Sequence, residues 1–565
     1  MPDPINTSIG YIVGGGLKAN LNARLTVPPE TVQEGAFVIV DSGQWRYYGL
    51  VTDILLGSTD PRFADEQSEK RFPPHIASLL HGQTLFTNLE VMPSLMLDRG
   101  PDLSSPDYPA WRAEHPEEKL GVVPVKTVPA HHSPVHLAQA GDIAEIFGSE
   151  GEAGNFRIGA TREQGHPVCV NLDKLVQRSS GIFGATGTGK SFLTRIILAG
   201  LIQRDQASVL IFDMHSEYGP DDTSSDTGKT VPGLKSKFPT KVRMVGLGRG
   251  TLVRGQQPDY NLEIAESDIQ TGDIEMLARE LNLTLTTSTT LDALVGTFRG
   301  NWFTEFKKLR VGAMEEDEEG RKVPAGDSVA AWANNAGVNV MAAEALRSKL
   351  NRLYNRNYIV EKPAFNTLGE IIKHLESGNH VVLTFGENDD PLDYLLAANL
   401  LTRKIREAWE EKTNLFRSGK AQEPRPLVVA LEEAHRLLNR EMASQTSFSQ
   451  IAREMRKYYV TLLIIDQRPS QIYDEVMSQL GTRISGWLGD DADIAAVLSG
   501  LAARDALRGM LARLQPKEEV LLLGWGVPMP IPVRSRRYDD AFWQELLGKA
   551  GRGKSKEELM KGLGY

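Results

Sequence analysis

Residues 184–191 have the types and the spacing of a phosphate-binding loop, because Gly184, Gly189, Lys190 and Ser191 fit the pattern G-x-x-x-x-G-K-[ST]. Glycines let backbone N–H groups surround phosphate oxygens, and a lysine at this place reaches the β- and γ-phosphates. The serine hydroxyl is a ligand type for Mg²⁺. The sequence therefore predicts a nucleotide site formed by Gly184, Ala185, Thr186, Gly187, Thr188, Gly189, Lys190 and Ser191, followed by a helix.

Two acids follow a second apolar run. Leu427–Leu431 is typical of a buried strand, and Glu432 and Glu433 come directly after it. Ligands of open α/β sheets bind at the carboxyl ends of the strands. We therefore expect Glu432 to hold Mg²⁺ through its water shell and Glu433 to polarise an attacking water as general base. The alternative is a solvated helix N-terminus, where acids are favoured by the helix dipole.

A polar side chain also follows the next apolar run, Val460–Ile465. Gln467 at the end of this strand would lie beside the phosphate loop, where it could sense the γ-phosphate or orient water. The preceding segment, Ile451–Tyr458, is predicted to be a helix and carries several cations, including Arg456. These cations either form a plain solvated surface or stabilise charge at the γ-phosphate of an oligomeric ATPase.

The elements that must position these residues fall into segments. Short β-branched and aromatic runs between residues 8 and 56 predict a small N-terminal β-barrel, and an extended pair at 122–128 and 156–158 is expected to continue it to about residue 165. Strand and helix patterns then alternate, which predicts a parallel sheet. The predicted segments are the barrel at 1–165, the α/β core at 166–260 and 366–537, a helical insertion at 261–365 and a helical tail at 538–565.

Composition narrows the class of protein. The 565 residues include one cysteine, Cys169, so no intramolecular disulfide can form, and a small buried residue is the expected role for it. No apolar run is long enough for a membrane span and no signal peptide is evident, so a cytoplasmic protein is expected. The net charge of −10 argues against nucleic-acid binding by the whole surface, but it leaves room for a local basic stripe.

The motifs taken in order resemble the HerA family of hexameric DNA translocases, within the broader HerA/FtsK group. The resemblance rests on the loop 184–191, Phe212–Tyr218, Glu432-Glu433-Ala434-His435, Ile451–Tyr458 and Gln467–Ser470, and it extends to the predicted barrel. It implies a RecA-like ring ATPase that binds ATP and Mg²⁺ between neighbouring subunits. Lys190 and Ser191 match the phosphate and magnesium ligands, Glu433 the catalytic acid and Gln467 the sensor. Arg178 matches an arginine that reaches a neighbour's nucleotide, and Arg456 matches a second arginine.

Two departures from the family pattern stand out. Met214 and Ser216 occupy places where the family usually has Pro and Gly, and Asp466 stands where the family usually has Ser before the sensor Gln. Neither departure removes a phosphate ligand. The first leaves open the fine geometry of the loop that follows Asp213.

The resemblance implies a homohexamer that moves along double-stranded DNA through a central channel, without a membrane. It also implies a partner on the barrel face, either a NurA-like nuclease in DNA end resection and repair or another effector in anti-phage defence. Lys229 and Arg440 are candidate channel residues, although surface solvation is the favoured explanation for each of them. The main alternative is an ATP-dependent ring scaffold that activates an effector. Leu498-Ser499-Gly500 only hints at a transporter-type ATPase, whose full signature the sequence lacks.

Overall fold

The computed structural model describes residues 8–548 except 18, 60–72, 74–84, 102–103, 116–120, 224–227, 285, 387, 389, 443–446 and 502. The chain divides into two compact units. Unit 1 contains the chain up to Leu172, the short segment Phe183–Lys190, and Gly481–Arg537. Unit 2 contains Asp173–Ile182, Ser191–Leu480 and the chain from Tyr538 onward.

The strands of the described residues are numbered in chain order. They are β1 Gly10–Gly16, β2 Ala19–Leu25, β3 Phe37–Ser42, β4 Trp45–Ser58, β5 Leu85–Asp98, β6 Val123–Pro124, β7 Pro134–Leu137, β8 Asn155–Thr161, β9 Pro167–Asn171, β10 Ser180–Phe183, β11 Ser208–Asp213, β12 Asp222–Thr223, β13 Thr230–Val231, β14 Val242–Leu247, β15 Tyr260–Leu262, β16 Ile264–Ala265, β17 Met314–Glu316, β18 Lys322–Pro324, β19 Ile359–Val360, β20 His380–Thr384, β21 Leu427–Glu432, β22 Val460–Asp466, β23 Thr482–Ser485, β24 Glu519–Gly524 and β25 Ile531–Ser535.

The α-helices of the same residues are numbered likewise. They are α1 Tyr108–Glu114, α2 Ala140–Phe147, α3 Leu172–Gln177, α4 Lys190–Arg204, α5 Leu234–Lys237, α6 Thr271–Met276, α7 Thr287–Phe298, α8 Trp302–Lys308, α9 Val329–Ala336, α10 Val340–Tyr354, α11 Thr367–Glu376, α12 Pro391–Arg417, α13 His435–Leu438, α14 Ser447–Glu454, α15 Asp474–Gln479, α16 Asp491–Val497, α17 Arg504–Ala512 and α18 Asp540–Gly548.

The N-terminal part of unit 1 is a closed barrel, which confirms the prediction from the short apolar runs. Its strands follow the order β2-β1-β7-β3-β4-β5, and pairing of β5 with β2 closes the ring. β6 adds to the free part of β5. Alternating residues such as Val38, Val40, Val51, Leu89 and Val91 point inward and form the core, as expected for strands with one face buried.

Two barrel predictions need correction. The Pro-, Asp- and Glu-rich composition of residues 57–120 predicts that this segment carries long loops, but it contains the fourteen-residue strand β5. Its polar residues, such as Asn88 and Glu90, alternate with apolar ones and face neighbours across the strand pair, so the strand lacks an apolar run. Phe156–Ile158 does not extend the barrel either, because β8 pairs with β9 and with β25. The partner of a strand is set by long-range packing, which local composition does not reveal.

The second sheet of unit 1 is antiparallel, with the order β23-β24-β25-β8-β9. A buried ion pair links it to the barrel segment that precedes β3. Arg162 donates from Nε and Nη2 to the two carboxylate oxygens of Glu519, at 2.9 and 2.6 Å, and from Nη1 to the carbonyl of Glu34 at 3.0 Å. The two side chains are 12% and 6% exposed. The pair therefore fixes the start of β24 to the chain before β3.

Loss of Arg162 should be costly. We expect Arg162→Met to lower the free energy of unfolding by about 3 kcal/mol, because Glu519 would stay buried as a carboxylate without its guanidinium partner. Arg321→Met is a matched control, since Arg321 pairs with Asp317 on the surface and should leave the melting temperature unchanged. Thermal and urea melts check this. Equal small changes in both variants would contradict the structural importance of the buried pair.

The sheet of unit 2 is parallel, with the order β15-β14-β20-β11-β21-β22-β10. From β15 to β22, every pair of neighbouring strands in this sheet is parallel. β11, β21 and β22 are buried along their whole length and consist mostly of apolar residues, chiefly Val, Leu and Ile. This composition is typical of parallel strands covered on both faces. Each of these three strands ends in an acid, so their carboxyl ends bring Asp213, Glu432 and Asp466 to one edge.

Helices α6–α10 lie between β16 and β19, which pair in parallel through two residues each. The sequence pattern over Ile269–Leu283 predicts one helix, but α6 covers only Thr271–Met276 and turns follow it. The acidic composition of residues 315–319 predicts a solvated loop. This tract instead begins in a short exposed hairpin, where β17 pairs with β18. Among the described residues, no helix is long and apolar enough to cross a membrane. Residues 549–565 of the predicted tail lie outside the described residues.

His380 at the start of β20 makes stability sensitive to acid. Its side chain is fully buried, and neither ring nitrogen has a hydrogen-bond partner among the described residues. Burial, followed by the charges of Arg425 and Lys241, lowers the pKa of His380 from 6.5 to about 3. The folded state therefore binds this proton less well than the unfolded state, and stability falls as the pH drops from 6.5 toward 3.

We expect this histidine alone to cost about 2 kcal/mol of stability between pH 7.5 and pH 5, from 1.4 kcal/mol per pH unit below 6.5. His380→Leu should therefore show a smaller drop in melting temperature over this pH range. His131→Leu, on the surface, should keep the drop of the parent protein. If the slopes of melting temperature against pH are the same for His380→Leu and the parent protein, the burial argument fails.

Candidate nucleotide site

The predicted phosphate loop has the strand–loop–helix form, because β10 ends at Phe183 and α4 begins at Lys190. Within unit 1 the loop is closed by hydrogen bonds. Thr188 Oγ1 donates to the carbonyl of Ala185 at 2.7 Å, and the backbone N–H of Lys517 donates to the carbonyl of Thr188 at 3.2 Å. Glycine is required at 184, since a Cβ there would lie 2.6 Å from Thr188 Oγ1. The N–H groups of the first turn of α4 follow directly, which favours an anion.

In unit 2 the structure brings two of the predicted residues together. Glu433 follows the last residue of β21, Gln467 follows the last residue of β22, and Gln467 Nε2 donates to Glu433 Oε1 at 2.7 Å. The strands are paired in parallel with Glu432 opposite Ile465, so their ends lie side by side. Glu433 is buried and has a backbone φ of +48°. A non-glycine residue in this region carries strain of about 1–3 kcal/mol and is often found at functional sites.

Glu432 lies in a strongly negative environment. Its carbonyl accepts a hydrogen bond from Tyr394 at 2.8 Å, while its Oε2 is buried without a hydrogen-bond partner among the described residues. Burial, and then the charges of Asp213, Glu217 and Glu433, raise the pKa of Glu432 well above its ordinary value. Glu217 Oε2 is likewise buried without a partner. A cation beside Glu432 would satisfy its unpartnered oxygen.

This donor set fits Mg²⁺. Among the described residues, no group of three or more His, Cys, Asp or Glu side chains forms a metal cage. Mg²⁺ in nucleotide sites usually keeps several waters and takes one or two protein oxygens together with phosphate oxygens. Glu432, with its unpartnered oxygen, and the Ser191 hydroxyl at the start of α4 are the oxygen types that such a site needs.

Asp213 organises the loop after β11. Its two oxygens accept hydrogen bonds from the backbone N–H groups of Glu217, Tyr218 and Gly219 at 2.7, 2.9 and 3.0 Å. Burial nevertheless raises the pKa of Asp213. Ser216 within this loop has φ +53°, a conformation that glycine adopts without strain. The loop therefore keeps a left-handed turn at the position where the related family usually has Gly.

A histidine–aspartate pair borders Glu433, and sequence reasoning gave it no role. His435 Nδ1 lies 3.0 and 3.2 Å from the two carboxylate oxygens of Asp466, and the backbone N–H of His435 donates to Asp466 at 2.7 Å. His435 Nε2 lies 3.8 Å from Glu433 Oε2. The signal was present, since Asp466 ends an apolar strand in the same way as Glu432 does.

The predicted arginines have different settings. Arg178 is half-buried between α3 and β10, and its carbonyl accepts a hydrogen bond from Ser180 Oγ at 3.2 Å. Arg456 is exposed, and it lies on a 3₁₀ turn at Met455–Tyr458 because the predicted helix ends at Glu454. A role of either residue at a neighbour's nucleotide stays a prediction.

The candidate channel residues are both exposed. Lys229 precedes β13. Arg440 follows α13 and borders a cavity of about 670 Å³, together with Arg279 and Arg436. Leu498-Ser499-Gly500 has a structural explanation, because the buried Arg483 donates to the carbonyls of Val497 and Ser499 at the end of α16.

Comparison with known proteins agrees with these observations. The family model described as "Helicase HerA, central domain" matches residues 156–405. The chain is 24% identical over 537 residues to the DNA double-strand break repair helicase HerA of Sulfolobus acidocaldarius, covering 94% of each chain. It is 22% identical over 563 residues to the HerA protein of Saccharolobus solfataricus, covering 98% of each.

A solved structure, VirB4 of Thermoanaerobacter pseudethanolicus, is 16% identical and aligns over 69% of this chain and 98% of its own, with a TM-score of 0.44. A TM-score this low supports no conclusion on fold or function, so the relationship of this chain to known proteins rests on the sequence matches. The matches to these two HerA proteins cover 94% and 98% of the chain. The chain is therefore similar to the HerA helicases over nearly its whole length, and its residues 156–405 match the HerA central domain.

Proposed function

We propose that the protein is an ATP-hydrolysing translocase of double-stranded DNA with a RecA-like core that acts in DNA repair. The observation that carries the proposal is the contact of Glu433 with Gln467 at the end of two parallel strands, in a chain with a complete phosphate loop. The names of the full-length relatives, DNA double-strand break repair helicases, support the choice of DNA as the track.

Each residue has a role in this proposal. Lys190 and the backbone N–H groups of residues 184–191 hold the β- and γ-phosphates of ATP. Ser191 and Glu432 hold Mg²⁺, which when bound neutralises phosphate charge. Glu433 takes the proton of the attacking water, and Gln467 keeps the carboxylate of Glu433 oriented in the absence of nucleotide.

We further propose a homohexameric ring in which Arg178 and Arg456 complete the site of a neighbouring subunit. An arginine supplied in trans contributes roughly 10³- to 10⁵-fold to hydrolysis in related enzymes.

Mixing two inactive variants tests the trans role. Arg178→Ala and Lys190→Ala should each abolish hydrolysis alone. Random mixed hexamers would contain intact Lys190 facing intact Arg178 at about a quarter of their interfaces, so activity should partly return. The measurement is ATP turnover after the two variants have exchanged subunits under native conditions. Native mass spectrometry verifies that mixed rings have formed. Verified mixed rings that stay inactive would show that Arg178 acts within its own subunit or only structurally.

The partner and the role of the ring are the finer part of the proposal. We propose that a NurA-like nuclease or another effector docks on the barrel and that duplex DNA passes through a central channel near Lys229 and Arg440. A ring that only scaffolds an effector would also bind ATP. The two functions differ in the response of hydrolysis to DNA.

The experiment is ATP turnover with and without linear duplex DNA, at low and high salt. A translocase should be stimulated by DNA, and the stimulation should fall steeply with salt because phosphate contacts release counterions. Lys229→Ala with Arg440→Ala should weaken the stimulation and leave DNA-free turnover unchanged. ATP turnover that does not change on addition of DNA, or that requires an added effector protein, would instead support the scaffold function.

A further inference from the structure

We propose that His435 and Asp466 are positioning residues that hold the carboxylate of Glu433 in its reactive orientation, an inference that rests on the proposed function. Each of the two carboxylate oxygens of Glu433 has a different neighbouring side chain. Gln467 donates to Oε1 at 2.7 Å, and the Nε2 edge of His435 faces Oε2 at 3.8 Å.

Asp466 fixes which way the histidine ring points. A buried carboxylate only accepts hydrogen bonds, so the ring nitrogen next to it, Nδ1, carries a proton. The same carboxylate accepts the backbone N–H of His435 at 2.7 Å and that of Arg468 at 2.7 Å. Asp466 is fully buried, and these bonds leave it no freedom to rotate. The ring is therefore held with its other nitrogen directed toward Glu433.

The charges around the ring favour this arrangement. The hydrogen bond to Asp466 raises the pKa of His435, with a further contribution from Glu433, while burial and Arg436 oppose it. For Asp466, burial raises the pKa, but the hydrogen bonds and charge of His435 outweigh it and leave the pKa below its ordinary value. The pair thus consists of an anionic Asp466 and a histidine that readily carries a second proton on Nε2, opposite the Glu433 carboxylate.

The strained backbone of Glu433 requires surrounding contacts that hold the residue in its conformation. With a φ of +48°, the Glu433 side chain points in a direction that it would not have in a relaxed extended backbone. Contacts with the surrounding residues must maintain this strained conformation. Gln467, whose amide is expected to reorient toward the γ-phosphate, cannot hold Glu433 at the same time. His435 and Asp466 do not need to move, so they keep the carboxylate in place while the amide leaves.

The test uses His435→Gln, Asp466→Asn and the double variant in the full-length protein. Asparagine can still accept the backbone N–H of His435, but its NH₂ would reverse the proton preference of the ring. Since positioning contributes to kcat and not to nucleotide binding, each single variant should lose roughly 10-fold in kcat, with KM and the affinity for a non-hydrolysable ATP analogue unchanged. The double variant should lose no more than either single one, because Asp466 acts through His435.

Three controls make the outcome decisive. His131→Gln on the surface should keep the kcat of the parent protein. Melting temperatures separate a loss of positioning from a loss of folding, and Asp466→Ser gives a second variant if Asp466→Asn is unstable. Additive losses in the double variant, or losses in analogue affinity rather than kcat, would overturn the inference. A parent protein that does not hydrolyse ATP would instead overturn the proposed function.

Discussion

Glu433→Gln should bind ATP as well as the parent protein does and hydrolyse it roughly 10²- to 10⁴-fold more slowly, the usual contribution of a general base. The substitution is isosteric, and its carbonyl oxygen can still accept the hydrogen bond that Gln467 now donates to Oε1. The backbone and the neighbouring contacts should therefore persist. Only the ability to take a proton from water is removed.

Steady-state turnover and binding of a fluorescent ATP analogue measure the two halves of this prediction. Glu411→Gln, an exposed glutamate on α12, is the matched control and should leave both values unchanged. A Glu433→Gln variant with a normal turnover rate would remove Glu433 from the reaction. The general base would then have to be sought among the other carboxylates at this sheet edge.

Lys190→Ala should fail at the earlier step. The ammonium group is the charged donor that the phosphate loop supplies to the β- and γ-phosphates, and a charge-assisted hydrogen bond contributes roughly 2–3 kcal/mol. We therefore expect the affinity for ATP to fall roughly 30- to 160-fold and hydrolysis to disappear. The fold should remain intact, because Lys190 begins α4 at a position where its side chain is only half-buried.

Equilibrium binding of labelled ATP measures this effect, with Lys420→Ala on the surface as the control for loss of one positive charge. Comparison with Glu433→Gln separates binding from chemistry, because Lys190→Ala should lose ATP affinity whereas Glu433→Gln should keep that affinity and lose only hydrolysis. Tight ATP binding by Lys190→Ala would contradict the assignment of the loop.

The sequence-based prediction was most accurate where local pattern determines structure. The apolar runs of β21 and β22 predicted buried strands, and the rule that ligands bind at the carboxyl ends of such strands drew attention to Glu433 and Gln467, which are in contact. Barrel strands β1–β4 were predicted from their short β-branched and aromatic runs. In each of these elements the side chains within a few residues carry the information.

Features that depend on distant packing were missed. β5 has polar residues that alternate along a long hairpin, and β8 belongs with β25 rather than with the barrel. The left-handed backbone of Glu433 and the contact of His435 with Asp466 depend on the register of β21 with β22, in which Glu432 lies opposite Ile465. A single sequence does not specify that register, so the sequence shows Asp466 only as a departure from the family pattern.

The most direct test of the central claim is ATP-driven movement along duplex DNA. A short triplex-forming strand bound at one end of a linear duplex reports passage of a motor, because a motor must strip it from the duplex. We predict that the parent protein releases this strand only with ATP and Mg²⁺, and that Glu433→Gln does not release it. If ATP is hydrolysed at full rate on the same DNA while the third strand stays bound, the protein is not a translocase.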